Sequence, residues 1–166
     1  MSINRRTVLA GSAAFITLPT FGARAASGAT HVVEMLNKHP TDKKLRMVFS
    51  PRLLKVQAGD TVMFKSVDKG HNAQSIDGMI PDGAEAWNSK ISKDVEVTFD
   101  MPGVYGYRCT PHAAMGMVGL IFVEGDGMLD NLDAAKAVKQ RGRSKAVFEE
   151  LWAEAEDAGY LTPAEA

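Results

Sequence analysis

Between Thr30 and Glu124 short apolar runs alternate with turn-forming residues, and many of the apolar positions recur with period two. Val95, Val97 and Phe99 fall on one face of an extended chain, with Glu96 and Thr98 on the other. This reading predicts strands over residues 31–36, 45–49, 53–56, 61–67, 95–99, 104–109 and 118–124. The turns between them fall at Ala58-Gly59-Asp60, Asp68-Lys69-Gly70, Asp82-Gly83 and Met101-Pro102-Gly103. Residues 77–93 are the least strand-like, and one helical turn is expected over 82–87. After Gly125 alanine, leucine and charge take over, which predicts helices over 129–141 and 144–157. In the second, Val147, Leu151 and Ala155 recur at helical spacing beside Phe148 and Trp152, and Ser144 is placed to cap its start. The expectation is an all-β fold: a Greek-key β-sandwich over 26–124 with two C-terminal α-helices in 125–166 packed on it.

The first residues have the form of an export signal. Arg5 and Arg6 are followed by an apolar, small-residue stretch from Val8 to Phe21, and Ala23-Arg24-Ala25 offers small residues for cleavage. The arginine pair and the weak hydrophobicity favour a twin-arginine address over the Sec route. Residues 1–25 are therefore expected to be removed, leaving a soluble periplasmic product. That segment holds three of the nineteen basic side chains and none of the twenty acidic ones, so the remainder carries sixteen against twenty. An acidic balance excludes a nucleic-acid binder on bulk charge. The excess of acids sits wholly in the C-terminal region; residues 26–124 hold eleven of each sign, so any basic docking surface is local.

Cys109 is the single cysteine. In an oxidising compartment cysteines normally pair, and one left over calls for another explanation. It stands in Cys109-Thr110-Pro111-His112-Ala113-Ala114-Met115-Gly116-Met117, where a thiolate, an imidazole and two thioethers lie within nine residues. Taken singly, each has an ordinary structural use: buried cysteine and methionine fill cores, and a lone histidine sits on a surface. Together, in a loop tethered between two predicted strands, they form a ligand set. The fourth ligand must come from elsewhere, and His71, in the turn Gly70-His71-Asn72, is the best candidate. Two imidazoles, a thiolate and a weak thioether suit copper cycling between Cu(I) and Cu(II) better than zinc. Met115 and Met117 compete for the thioether position. His31 and His39 have no matching partners and are read as structural or surface residues, and Asn72 as a hydrogen-bonding tie between the two ligand-bearing loops.

Cys109-Thr110-Pro111-His112 with Met115-Gly116-Met117, Val67-Asp68-Lys69-Gly70-His71-Asn72 and Met79-Ile80-Pro81-Asp82-Gly83-Ala84-Glu85 resemble the pseudoazurins, a family of type 1 blue copper cupredoxins. The resemblance runs through the chain after the signal and includes the two C-terminal helices. It implies one copper ion per chain held by His71, Cys109, His112 and Met117; the place of Met117 directly before a strand agrees. It implies a monomeric one-electron carrier, with nitrite reductases and c-type cytochromes as transient partners. Docking is expected at a small apolar patch of Pro111, Ala113, Ala114 and Met115 around the His112 edge, with Lys38, Lys69 and Arg108 as steering charges. The chain departs from the family in a longer, more basic stretch over 39–46 and in Ala113, where an aromatic residue is common.

Two other functions fit less well. A copper oxidase or nitrite reductase needs histidines beside the cysteine, or His-x-His pairs, to build a second centre; Cys109 is flanked by Arg108 and Thr110, and the chain has four histidines. A copper carrier needs exposed, exchangeable ligands, whereas this set is drawn from two loops fixed to a sandwich.

Overall fold

The computed structural model describes residues 28–162. The predicted export segment over 1–25 lies outside them. Eight strands run in chain order as β1 (Thr30–Lys38), β2 (Arg46–Ser50), β3 (Leu53–Gln57), β4 (Asp60–Lys65), β5 (Gln74–Ser75), β6 (Val95–Phe99), β7 (Gly103–Arg108) and β8 (Val118–Glu124). They form two four-stranded sheets, ordered β2-β1-β4-β6 and β3-β8-β7-β5. β1 lies parallel to β4 and β3 parallel to β8, while the other pairs are antiparallel. Helices α1 (Leu132–Ala137) and α2 (Ser144–Asp157) follow. The sandwich and its helical appendage are as the sequence predicts.

The space between the sheets is filled by Val33, Met35, Phe49, Val62, Phe64, Trp87, Phe99, Tyr105, Tyr107 and Ile121, and Cys109 and Met117 belong to the same buried cluster. Phe49 and Phe64 meet the Tyr107 ring edge-on, with centroids 4.7 and 5.1 Å away. Fully burying each such side chain stabilises the fold by roughly 1.5–3 kcal/mol. A second cluster joins Val118, Leu120 and Phe122 to Val147, Phe148, Leu151 and Ala155 of α2. β8 is therefore covered on both faces, which explains why Val118–Glu124 reads as a nearly continuous apolar run rather than an alternation. Within it Gly119 leaves room for Tyr107: a Cβ there would lie 2.3 Å from the phenol ring.

Four local expectations are corrected. β5, two residues long, is an unpredicted strand, too short for any periodicity to announce it. Residues 82–87 form no helical turn; the Ala84 N–H closes a tight turn on the Pro81 carbonyl at 3.1 Å, and the chain then runs on to pair Gln74 with Asn88. The first helix is shorter than 129–141. Its start is delayed because Asn131 is engaged with the Val104 backbone, accepting from N–H at 2.9 Å and donating to C=O at 2.8 Å, and Val138 is already extended. Finally, Ser144 does not cap α2. Arg143 occupies the N-cap position, and the Ser144 hydroxyl turns outward to the Ala113 carbonyl.

Candidate metal centre

Cys109 follows β7 directly in an extended conformation, and its N–H donates to the Met117 carbonyl at 2.9 Å, one rung beyond the β7–β8 ladder. Between these two residues the chain winds through a 3₁₀ segment, Thr110–Met115. Pro111, near its start, has φ preset for such a turn. Gly116 ends it at φ 95°, a left-handed conformation that glycine adopts without strain, and a Cβ there would also come within 2.9 Å of Val147. The Met117 N–H returns to the His112 carbonyl at 3.2 Å, so the loop is closed on itself by backbone bonds.

Across from it, His71 is framed by a segment that carries no periodic signal. Gly70 N–H donates to the Ser92 hydroxyl at 2.9 Å, Ser92 N–H to the His71 carbonyl at 2.8 Å, and Ala73 N–H to the Ser89 hydroxyl at 3.0 Å. Asn72 ties the two loops as expected: its Oδ1 accepts the Thr110 N–H at 2.7 Å, and its Nδ2 donates to Thr110 Oγ1 at 3.1 Å.

The side chains of His71, Cys109 and His112 converge. His71 Nδ1 and His112 Nδ1 are 3.1 Å apart, and Cys109 Sγ lies 3.7 Å from the first and 3.4 Å from the second. A point equidistant from the three atoms is about 2.0 Å from each, the length of a metal–imidazole bond and slightly short of a metal–thiolate bond. The residues therefore fit a single ion in a trigonal donor set. Met117 is fully buried in the cluster that holds Cys109, whereas Met115 is half exposed, which separates the two thioethers.

The electrostatics agree. Burial raises the Cys109 thiol above its ordinary value, against the lowering effect of the backbone N–H groups of Asn72 and His112. Burial also lowers His71, assisted by neighbouring His112 and opposed by Asp68. A buried neutral imidazole with its lone pair aimed at a buried sulfur is a site prepared for a cation, whose charge reverses the burial penalty on the thiolate. The tautomer is fixed from behind: His71 Nε2–H donates to Asn37 Oδ1 at 3.0 Å, leaving Nδ1 free to ligate.

Asn37, Ser89, Ser92 and Gln74, whose Oε1 accepts from Thr110 Oγ1 at 2.9 Å, are site residues that sequence reasoning missed. His31 and His39 stand apart from the centre. His31 bonds Asp60 at 2.9 Å, and His39 accepts the Asp42 N–H at 3.1 Å inside the β1–β2 hairpin. Lys38 and Lys69 are exposed, and Arg108 is half-buried, with Nε 3.4 Å from Gln74 Oε1.

Residues 34–124 match the model of the copper-binding proteins of the plastocyanin/azurin family. A pseudoazurin of Methylorubrum extorquens is 40% identical over 154 residues, covering 93% of this chain and 99% of its own. One from Paracoccus pantotrophus is 44% identical over 125 residues, covering 74% of this chain and 83% of its own. The crystal structure of native pseudoazurin from Hyphomicrobium denitrificans superposes with a TM-score of 0.69 at 39% identity, covering 76% of this chain and 98% of that one. The chain thus belongs to the plastocyanin/azurin family of copper-binding proteins and, within it, to the pseudoazurins, which are electron-transfer cupredoxins and not enzymes.

Proposed function

We propose that His71, Cys109, His112 and Met117 hold one copper ion and that the protein carries single electrons between partners in the periplasm. The observation that carries this reading is the triangle of two imidazole nitrogens and one sulfur, with sides of 3.1 to 3.7 Å. When bound, copper supplies a redox couple whose two states accept one geometry. The chain's own part is to make that geometry costly to change. Cys109 is fixed by the ladder to Met117, His71 by Asn37 and Ser92, and the two loops by Asn72. Full burial of His71, Cys109 and Met117 excludes water and substrates from three of the four ligands.

His112, half-buried, is the route in and out. Pro111, Ala114 and Met115 are exposed around it and Ala113 partly so, giving a small apolar contact suited to brief encounters. Lys38, Lys69 and Arg108 steer partners with acidic docking faces, for which a nitrite reductase and a c-type cytochrome are the proposed cases. Export rests on residues 1–25 as a twin-arginine signal cleaved after about Ala25, and a diffusing shuttle of this kind acts as a monomer. Among the described residues no helix is long and apolar enough to cross a membrane.

The test is the visible spectrum of copper-loaded protein. An intense thiolate-to-copper band is expected, altered in Met117→Gln and abolished in Cys109→Ser. A colourless protein in the presence of cupric salt overturns the proposal.

A further inference from the structure

The C-terminal helix touches the ligand loop at the two carbonyls that follow His112. Ser144, 3% exposed, donates its hydroxyl to the Ala113 carbonyl, and the Arg143 N–H donates to the Ala114 carbonyl at 3.0 Å. The approach is tight: a Cβ on Gly142 would lie 2.7 Å from the Ala114 oxygen, and one on Gly116 would press into Val147 and Arg143. The His112 carbonyl is itself bound by the Met117 N–H. The Ala113 carbonyl also accepts the Gly116 N–H at 2.8 Å, so every carbonyl from His112 to Ala114 has a partner, and two of the three are bonded by α2 or the residue before it.

Ser144 is not serving its own helix. A serine at the N-cap position accepts an N–H from the first turn, but that position is held by Arg143. Here no side-chain cap bond forms, and the hydroxyl points out of the helix. Nor does α2 need this bond to dock, since Val147, Phe148, Leu151 and Ala155 already bury its apolar face against β8 and its neighbours. Ser144 is the only buried polar side chain that the C-terminal extension contributes among the described residues, and its one bond goes to the loop carrying His112.

We propose that Ser144 is a positioning residue for electron transfer: through the Ala113 carbonyl it makes α2 a rigid stop behind His112, so that the imidazole keeps one place in both oxidation states. The helical extension is then part of the redox device and not only a cover for β8. The proposal rests on His112 being a copper ligand. Relaxation of the loop between states adds to the barrier for exchanging an electron, so removing the stop slows exchange even where the ligands are unchanged.

The test compares copper-loaded Ser144→Ala with Leu151→Ala, a substitution in the buried face of α2 that makes no contact with the loop carbonyls. Ser144→Ala is expected to slow electron self-exchange about fivefold, the factor one net hydrogen bond of ordinary strength represents. It should also change the ratio of the two thiolate-to-copper bands and, in metal-free protein, speed hydrogen exchange at the Gly116 and Met117 amides. Leu151→Ala should lose more stability yet keep the wild-type band ratio and exchange rate. Wild-type values in Ser144→Ala, or equal changes in Leu151→Ala, overturn the assignment. A wild-type protein that shows no such bands instead overturns the ligand assignment on which it rests.

Discussion

Asn72 and Thr110 join the two halves of the metal centre, through a bond of 2.7 Å from the Thr110 N–H to Asn72 Oδ1 and one of 3.1 Å from Asn72 Nδ2 to Thr110 Oγ1. Asn72 follows His71 directly and Thr110 follows Cys109 directly, so this pair sets the distance between an imidazole and a thiolate. Asn72 is 3% exposed, and truncating it leaves the Thr110 N–H without its acceptor and the buried Asn72 position without its polar bonds. Asn72→Ala is expected to destabilise the metal-free protein by about 1–3 kcal/mol. Urea unfolding measures this, and the copper-loaded protein should lose more than the metal-free one because the tie also holds the ligands. Equal losses in the two forms would show the bond to be structural alone.

His71 depends on a residue 34 positions earlier in the chain. Asn37 Oδ1 accepts the Nε2 proton and so leaves Nδ1 with its lone pair facing Cys109 and His112. Asn37→Ala removes that acceptor while leaving the ligand set intact. Copper affinity is expected to fall about 10–100-fold, the range found when such supporting bonds to a metal-bound histidine are removed. Competition against a chelator of known affinity gives the number, and an unchanged affinity would mean that ring packing alone orients His71.

These two residues mark what the sequence makes legible. β7, β8 and the loop between them were readable because apolar runs end at Cys109 and begin at Val118, with three ligand types packed between. The tie through Asn72 was readable because it adjoins a ligand. Asn37 was not, because β1 and the His71 turn meet only after β1 pairs with β4. The serines of residues 87–92 were hidden for a different reason: they hold the backbone by side-chain bonds, which leave no period in the sequence. Ser144 misled in an instructive way, since a serine at a helix start normally caps it and here tertiary contact with Ala113 takes precedence.

Asp60 gives the fold a pH dependence separate from the metal. Its carboxylate accepts from Ala29 N–H at 2.8 Å, Gln57 N–H at 2.9 Å and His31 Nε2 at 2.9 Å. Burial alone would raise its pKa, but the bonds from Gln57, His31 and Ala29 outweigh burial and hold the carboxyl below the ordinary aspartate range. A carboxylate depressed in the folded state stabilises above its unfolded pKa and loses that contribution as pH falls through the folded value. Metal-free protein should therefore lose stability on acidification from about pH 4 downward, and Asp60→Asn should flatten that part of the profile. Denaturant midpoints measured across this window decide it; parallel profiles for the two proteins would assign the acid sensitivity elsewhere.

The β1–β2 hairpin carries a basic stretch that includes Lys43, Lys44 and Arg46. Its shape is held by His39, whose Nδ1 accepts the Asp42 N–H at 3.1 Å, and by the Leu45 N–H on the Asp42 carbonyl at 3.1 Å. Lys43, Lys44 and Arg46 are thereby exposed, and Arg46 shares with Met115 a small surface depression beside the ligand loop. Charges at the rim of a docking patch act mainly on encounter rate and are screened by salt. Reversing Lys43 and Lys44 to glutamate should slow electron transfer to an acidic acceptor about tenfold at low ionic strength, with the difference fading toward 0.5 M salt, where the Debye length is only about 4 Å. The visible spectrum should stay unchanged, because neither lysine touches a ligand. Stopped-flow rates over a salt series provide the measurement. A loss that persists at high salt would place these lysines in direct contact with the partner, and no loss at any salt would exclude them from steering.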